Sequence, residues 1–166
     1  MRHANAASVW TRFAVLPMLA LSVWSRAWIG WYSLIPIGLS TVWMLVNPLF
    51  FKPPRSTRNW ASKSVLGERI WTERDRSELP EQFRSSAPTL ISTYQAIGMA
   101  PLVYGLIILD PLPVVAGILL VQGGKLWYLD RMVLLFEDMK SRHPEYAAWE
   151  LPRPKDEALG TIEVTL

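Results

Sequence analysis

Four apolar runs divide the chain, and polar stretches separate and flank them. The first is Phe13–Trp24, FAVLPMLALSVW, which extends toward the amino terminus if Ser8–Thr11 join the helix. The second is Ala27–Phe51, with Asn47-Pro48 near its exit. The third opens at Pro88 with two polar turns (Thr89, Ser92, Thr93, Gln95) and turns apolar over Ala96–Leu109. The fourth begins at Pro111, acquires Gln122 and Lys125 at depth, and ends in alternating ionic and aromatic residues up to Lys140. About 20 residues of helix cover a ~30 Å hydrocarbon core, so the runs predict spans at about 9–25, 27–50, 89–109 and 113–136. A cleaved leader is the rival for the first run, since Ser25-Arg26-Ala27 has small residues at cleavage spacing. Against it, Trp28 would then begin the chain inside another apolar run.

Between the second and third runs, residues 52–88 carry Lys52, Arg55, Arg58, Lys63, Arg69, Arg74, Arg76 and Arg84. A helix is expected over about 59–78, with Asn59 as its N-cap and Pro80 as its stop. Trp60, Leu66, Ile70 and Trp71 share one arc of that helix with Lys63 and Arg74. This predicts a helix lying in the membrane interface, its basic residues reaching for headgroups. The predicted fold class is therefore all-α: an integral membrane four-helix bundle of two antiparallel transmembrane hairpins, with an interfacial helix between them. Residues 1–149 form one membrane domain in this reading, and 150–166 a mobile tail.

Charge sets the orientation. Of 17 Lys and Arg, all but Arg26 fall with the two termini or the 52–88 loop, counting Arg12, Lys125 and Arg131 with the ends they adjoin. The positive-inside bias then places both termini and that loop in the cytoplasm of a multi-pass cell-membrane protein. Composition narrows the chemistry. With no Cys and only two His, one near each end, disulfides, thiolate nucleophiles and Cys- or His-rich metal centres have no residues to use. No Walker loop, GxGxxG, HExxH or GxSxG pattern occurs, and no cofactor is expected. The Arg-rich loop is matched to anionic lipid headgroups rather than nucleic acid, because its aromatics fall where a membrane face would be.

Small residues suggest how the helices meet. Gly98 and Gly105 in the third run, and Gly117 and Gly124 in the fourth, each recur at a spacing of seven. Folded antiparallel about Pro111, Gly105 lies opposite Gly117 and Gly98 opposite Gly124, which permits close backbone approach in lipid. The first hairpin gives a looser version about Arg26, with Ser22 opposite Gly30 and Ala14 opposite Gly38. A shift of 84 residues also lays Pro17 on Pro101, Arg26 on Asp110 and Trp43 on Trp127, the pattern of a two-helix duplication.

Lys125 is the leading functional candidate, because an ionisable residue inside the hydrocarbon marks a site by default. Its bland alternative is snorkelling, made harder by a side chain that tilts toward its helix's outer end. Arg131 and Asp138 continue the glycine face, and Arg131 is expected near Ser92 and Gln95. Asp130, Glu137, Glu68 and Arg69 complete a candidate polar cluster on the cytoplasmic side, whose bland alternative is an interfacial ion-pair network. Three functions compete. A non-enzymatic membrane or partner-binding protein leads, since the interface is rich in Trp and Arg without a catalytic set. A transporter or channel component follows from Lys125 and the repeat, and would need a homo-oligomer because four helices are few to enclose a pathway. An interfacial enzyme on a lipid or isoprenoid would use Lys125, Arg131 and the carboxylates.

Three stretches, HANAASVWTRFAVLP, RSTRNWASKSVLGERIW and GKLWYLDRMVLLFEDM, together resemble an uncharacterised family of small prokaryotic four-helix integral membrane proteins, a domain of unknown function. The resemblance covers residues 3 to about 149. It implies an integral membrane protein and carries no activity or catalytic residues. Ala6 departs from it, where a Pro-like residue is expected.

Overall fold

The computed structural model describes residues 4–73, 75, 79–84 and 87–151, and of residues 48, 87–90 and 92 the backbone alone. Every regular element among them is helical: α1 (Ala6–Phe13), α2 (Val15–Trp24), α3 (Arg26–Ile29), a 3-10 turn (Gly30–Ser33), α4 (Leu34–Phe50), α5 (Trp60–Glu73), α6 (Glu81–Arg84), α7 (Ala87–Ile108), α8 (Pro111–Arg142) and α9 (Pro144–Ala147). Two helical stretches, Ala6–Asn47 and Pro111–Arg142, are long and apolar enough to cross a membrane, and Thr93–Ile108 is a shorter apolar helix. The chain divides into two units. One draws on Met1–Val9, Phe51–Ser85 and Leu129–Leu166, the other on Trp10–Phe50 and Ser86–Tyr128. They are termed below the charged unit and the apolar unit. Arg74, residues 76–78 and the tail from 152 lie outside the described residues.

In the apolar unit, α2 and α4 form a hairpin whose reversal lies later than Arg26. Arg26 stays helical in α3, and the chain turns at Gly30, whose φ of 54° and ψ of −128° suit glycine alone. The pairing shifts with it. Ser22 meets Ser40, hydroxyl to hydroxyl at 3.2 Å, rather than Gly30, and Asn47 Nδ2 donates to Thr11 Oγ1 at 2.8 Å. Gly30 and Gly38 face open space, so no glycine seam holds this hairpin.

The α7–α8 hairpin closes differently. Leu109 adopts φ 58°, and the Asp110 N–H donates to the Gly105 carbonyl at 3.0 Å, a Schellman end to α7. Asp110 Oδ1 then accepts from the Leu112 N–H at 2.9 Å and caps α8, with Pro111 as the first helical residue. The reversal is thus Leu109–Asp110, not Pro111, and the register moves accordingly. A β-carbon on Gly105 would come 2.7 Å from Val114 N, on Gly98 2.9 Å from Val121 N, on Gly117 2.5 Å from Leu102 N, and on Gly124 2.7 Å from Gln95 Cγ. All four glycines lie at the α7–α8 contact. Each receives a larger residue of the opposite helix instead of another glycine. Ala20 of α2 joins Leu102 and Val114 in a buried cluster, flanked by Leu16, Trp24, Leu106 and Ile118.

The charged unit has a core of Met132, Leu135, Phe136 and Met139 from α8, Ile70 from α5 and Leu79, all at most 1% exposed. Asn59 caps α5, its Oδ1 accepting from the Ser62 N–H at 2.9 Å. Ala61, Ser62, Ser64 and Gly67 are buried, and Gly67 is where α5 comes closest to α8. A β-carbon at Gly67 would fall on the Met132 carbonyl oxygen. This corrects the lipid-facing arc read from the sequence. Leu66 and Ile70 are buried in protein, and Lys63 is held in ion pairs. Gly67, beside the buried Leu66, marks the closest approach of α5 to α8.

Candidate functional site

Polar chemistry in the charged unit gathers around Glu150. Arg58 precedes α5, Lys63 stands one turn past the Asn59 cap, and Lys140 lies in the last turns of α8. Lys140 Nζ reaches Glu150 Oε2 at 2.7 Å, Lys63 Nζ reaches Oε1 at 3.6 Å, and Arg58 Nε reaches Oε1 at 3.9 Å. Both lysines also pair with Glu137, Lys140 at 2.8 Å. Charges thus alternate around a ring, with Arg58 as an extra cation at its edge. Burial pushes the Glu150 carboxyl up, but the hydrogen bond and charge of Lys140, with Lys63 behind it, outweigh this and hold it below the usual carboxylate range.

The segment carrying Glu150 is fastened on either side of it. Thr57 Oγ1 donates to the Trp149 carbonyl at 3.0 Å and accepts from the Leu151 N–H at 2.7 Å, while the Thr57 N–H donates to the Leu151 carbonyl at 3.2 Å. The Arg69 guanidinium lies 4.7 Å from the centre of the Trp149 ring, and Tyr146 is buried. Glu150 and Leu151, assigned to the tail by sequence, are therefore ordered parts of this unit.

The remaining sequence-derived candidates scatter. Arg69 pairs with Glu73 through both carboxylate oxygens at 3.0 Å, an i,i+4 contact. Glu68 is exposed on α5. Asp130 accepts from Trp60 Nε1 at 3.3 Å and lies 3.5 Å from Arg131. Asp138 pairs with Arg142 at 3.2 Å. Of the singled-out carboxylates, Glu137 alone enters the ring; Lys63, Lys140, Glu150 and Arg58 were not among the candidates. Glu137 and Lys140, three apart on one helix, were a legible pair. The other contacts cross distances that no sequence spacing encodes. Among the described residues, no three His, Asp or Glu converge as a metal site.

In the apolar unit the two polar residues of α8 have different partners. Gln122 Nε2 donates to the Phe13 carbonyl at 2.6 Å. Pro17 lacks the N–H that would otherwise bond that carbonyl, so Gln122 satisfies a group the proline orphans. Lys125 lies with its ammonium 5.8 Å from the centre of the Phe13 ring. At the other end of the unit, Arg26 Nη2 donates to the carbonyls of Leu106 and, at 2.7 Å, Ile107. A cation there meets the negative end of the α7 dipole. Gln95, expected near Arg131, packs on Gly124, and the Ser92 side chain lies outside the described residues.

Against known proteins, residues 1–152 match a family of unknown function, DUF6653. No curated protein and no solved structure matches the chain.

Proposed function

The chain belongs to DUF6653, a family of unknown function, and we propose that it is a multi-pass integral membrane protein whose apolar unit is solvated by lipid and whose charged unit is a cytoplasmic binding module without enzymatic activity. One observation carries this reading. Among the described residues, the large hydrophobic side chains that are exposed all belong to the apolar unit except Leu134. They include Leu34, Leu39, Leu45 and Leu49 on α4, Ile97, Val103 and Ile107 on α7, and Leu112, Val115 and Leu119 on α8. Burying one such side chain is worth about 1.5–3 kcal/mol, so ten left in water forgo a gain of about 15–30 kcal/mol that a hydrocarbon phase supplies, and an apolar surface of that extent marks contact with such a phase. The interior is as telling, since Ser22, Ser33, Ser40, Asn47 and Gln122 are buried there with the four seam glycines. Small and hydrogen-bonding residues inside, with large apolar ones outside, is the arrangement lipid favours.

Four spans follow, at about 9–29, 31–50, 89–109 and 113–128, with the Gly30 reversal between the first two and the fourth ending where α8 enters the charged unit. The 22 residues of α7 give ~33 Å and the 32 of α8 ~48 Å, so α8 extends beyond the hydrocarbon. Trp28, Trp31 and Tyr32 are exposed about the first reversal, where interfacial aromatics belong. Both termini and the 52–88 loop are cytoplasmic in this proposal, and the loop's cations meet anionic headgroups. Reporter fusions test the topology: those at residues 26 and 111 read outside and one at 75 reads inside. A cytoplasmic signal at 26 or 111 would refute four spans.

A further inference from the structure

We infer that Arg58, Lys63 and Lys140 form a phosphate-binding cradle that the chain's own Glu150 occupies as a built-in competitor. Three cations from three separate parts of the chain converge on one carboxylate, two of them shared with Glu137. The geometry suits a larger anion. Lys140 touches one oxygen of Glu150 while Lys63 and Arg58 approach the other at 3.6 and 3.9 Å, longer than charge-assisted hydrogen bonds. A phosphate monoester or diester carries more oxygens than a carboxylate and can reach all three cations closely. Arg58 is also the most open member, its side chain 46% exposed against 16% for Glu150, which gives an incoming anion its first contact.

Release of Glu150 is confined to one segment. Thr57 makes its three hydrogen bonds to Trp149 and Leu151, and Trp149 lies beneath Arg69, so displacement of the carboxylate loosens 149–151. Occupancy of the cradle and order of this segment are therefore opposed. The inference deepens the binding-module reading, and rests on it only in placing the cradle beside lipid headgroups.

The test uses the full chain, first in detergent with inorganic phosphate, followed by ³¹P line broadening. It is then repeated in nanodiscs of phosphatidylglycerol or phosphatidylcholine. Glu150→Gln should tighten anion binding about three- to fivefold, the scale of removing one partly exposed charge pair. Adding Lys63→Ala or Lys140→Ala should abolish that gain. A gain with phosphate alone assigns a soluble ligand, and a gain in phosphatidylglycerol over phosphatidylcholine assigns a headgroup. No gain in either, or a gain that survives loss of the lysines, overturns the cradle. The wild type supplies a variant-independent check: bound phosphate should speed hydrogen exchange at the Leu151 amide, and unchanged protection at saturation would refute competition. The detergent arm contains no bilayer, so its failure is separate from failure of the four-span topology, which the fusions read.

Discussion

Gln122 shows how a single polar residue in an apolar helix can be structural. Its amide donates to the carbonyl that Pro17 leaves without a partner, deep in the apolar unit. Loss of a hydrogen bond to a buried acceptor costs about 1–3 kcal/mol, so Gln122→Leu should lower unfolding stability in detergent by that amount. The cost should shrink in a Pro17→Ala background, where the restored N–H can satisfy Phe13 within its own helix. Equal costs in both backgrounds would show that Gln122 does something else. The sequence displayed both halves of this pair, a proline in the first apolar run and a glutamine in the fourth, but not their meeting. Lys125 was likewise visible as an anomaly, and its aromatic neighbour Phe13 was not.

Helices in this chain announce themselves clearly and their reversals do not. The apolar runs located α2, α4, α7 and α8, and the seven-residue glycine spacing picked out the face where α7 meets α8. The register was misplaced because Pro111 looks like the centre of a turn. Proline is equally at home as a first helical residue, and a non-glycine residue, Leu109, takes the left-handed position. The first reversal was displaced for a related reason, since Gly30 has the backbone freedom that Arg26 lacks. The two hairpins thus differ in how they are held, one by serine and asparagine hydrogen bonds, the other by a glycine seam. Substitution separates seam glycines from open ones. Gly117→Ala should destabilise by about 1–3 kcal/mol through overpacking, whereas Gly123→Ala, which meets nothing within 4 Å, should be neutral or stabilise by up to about 1 kcal/mol. Equal effects in thermal unfolding would contradict the seam.

At the scale of the molecule, the two units bury different kinds of residue, which the proposed reading assigns to two solvents. The charged unit hides Met132, Leu135, Phe136 and Met139 and holds its half-buried ions in pairs. The apolar unit turns large apolar residues outward. The ion ring of the charged unit makes its C-terminal segment sensitive to acid. Because Glu150 titrates below the ordinary carboxylate range when folded, its stabilising effect is complete above that range and disappears as pH falls through the depressed value. A spin label at Ala148→Cys, in a chain with no native Cys, should be immobile at neutral pH and become mobile only below the ordinary carboxylate range. Glu150→Gln should remove the pH step, and a step that persists would assign it to another group.

The same absence of cysteine permits the most direct test of the central claim, that lipid covers the apolar unit. Leu45, Val103 and Leu119 are exposed on α4, α7 and α8, and Glu68 is exposed on α5. Each is replaced singly by Cys and challenged with a water-soluble maleimide in intact and permeabilised cells. Positions 45, 103 and 119 should stay unlabelled in both, while position 68 labels only after permeabilisation. Rapid labelling at 45, 103 and 119 would show that water, not lipid, bathes those faces.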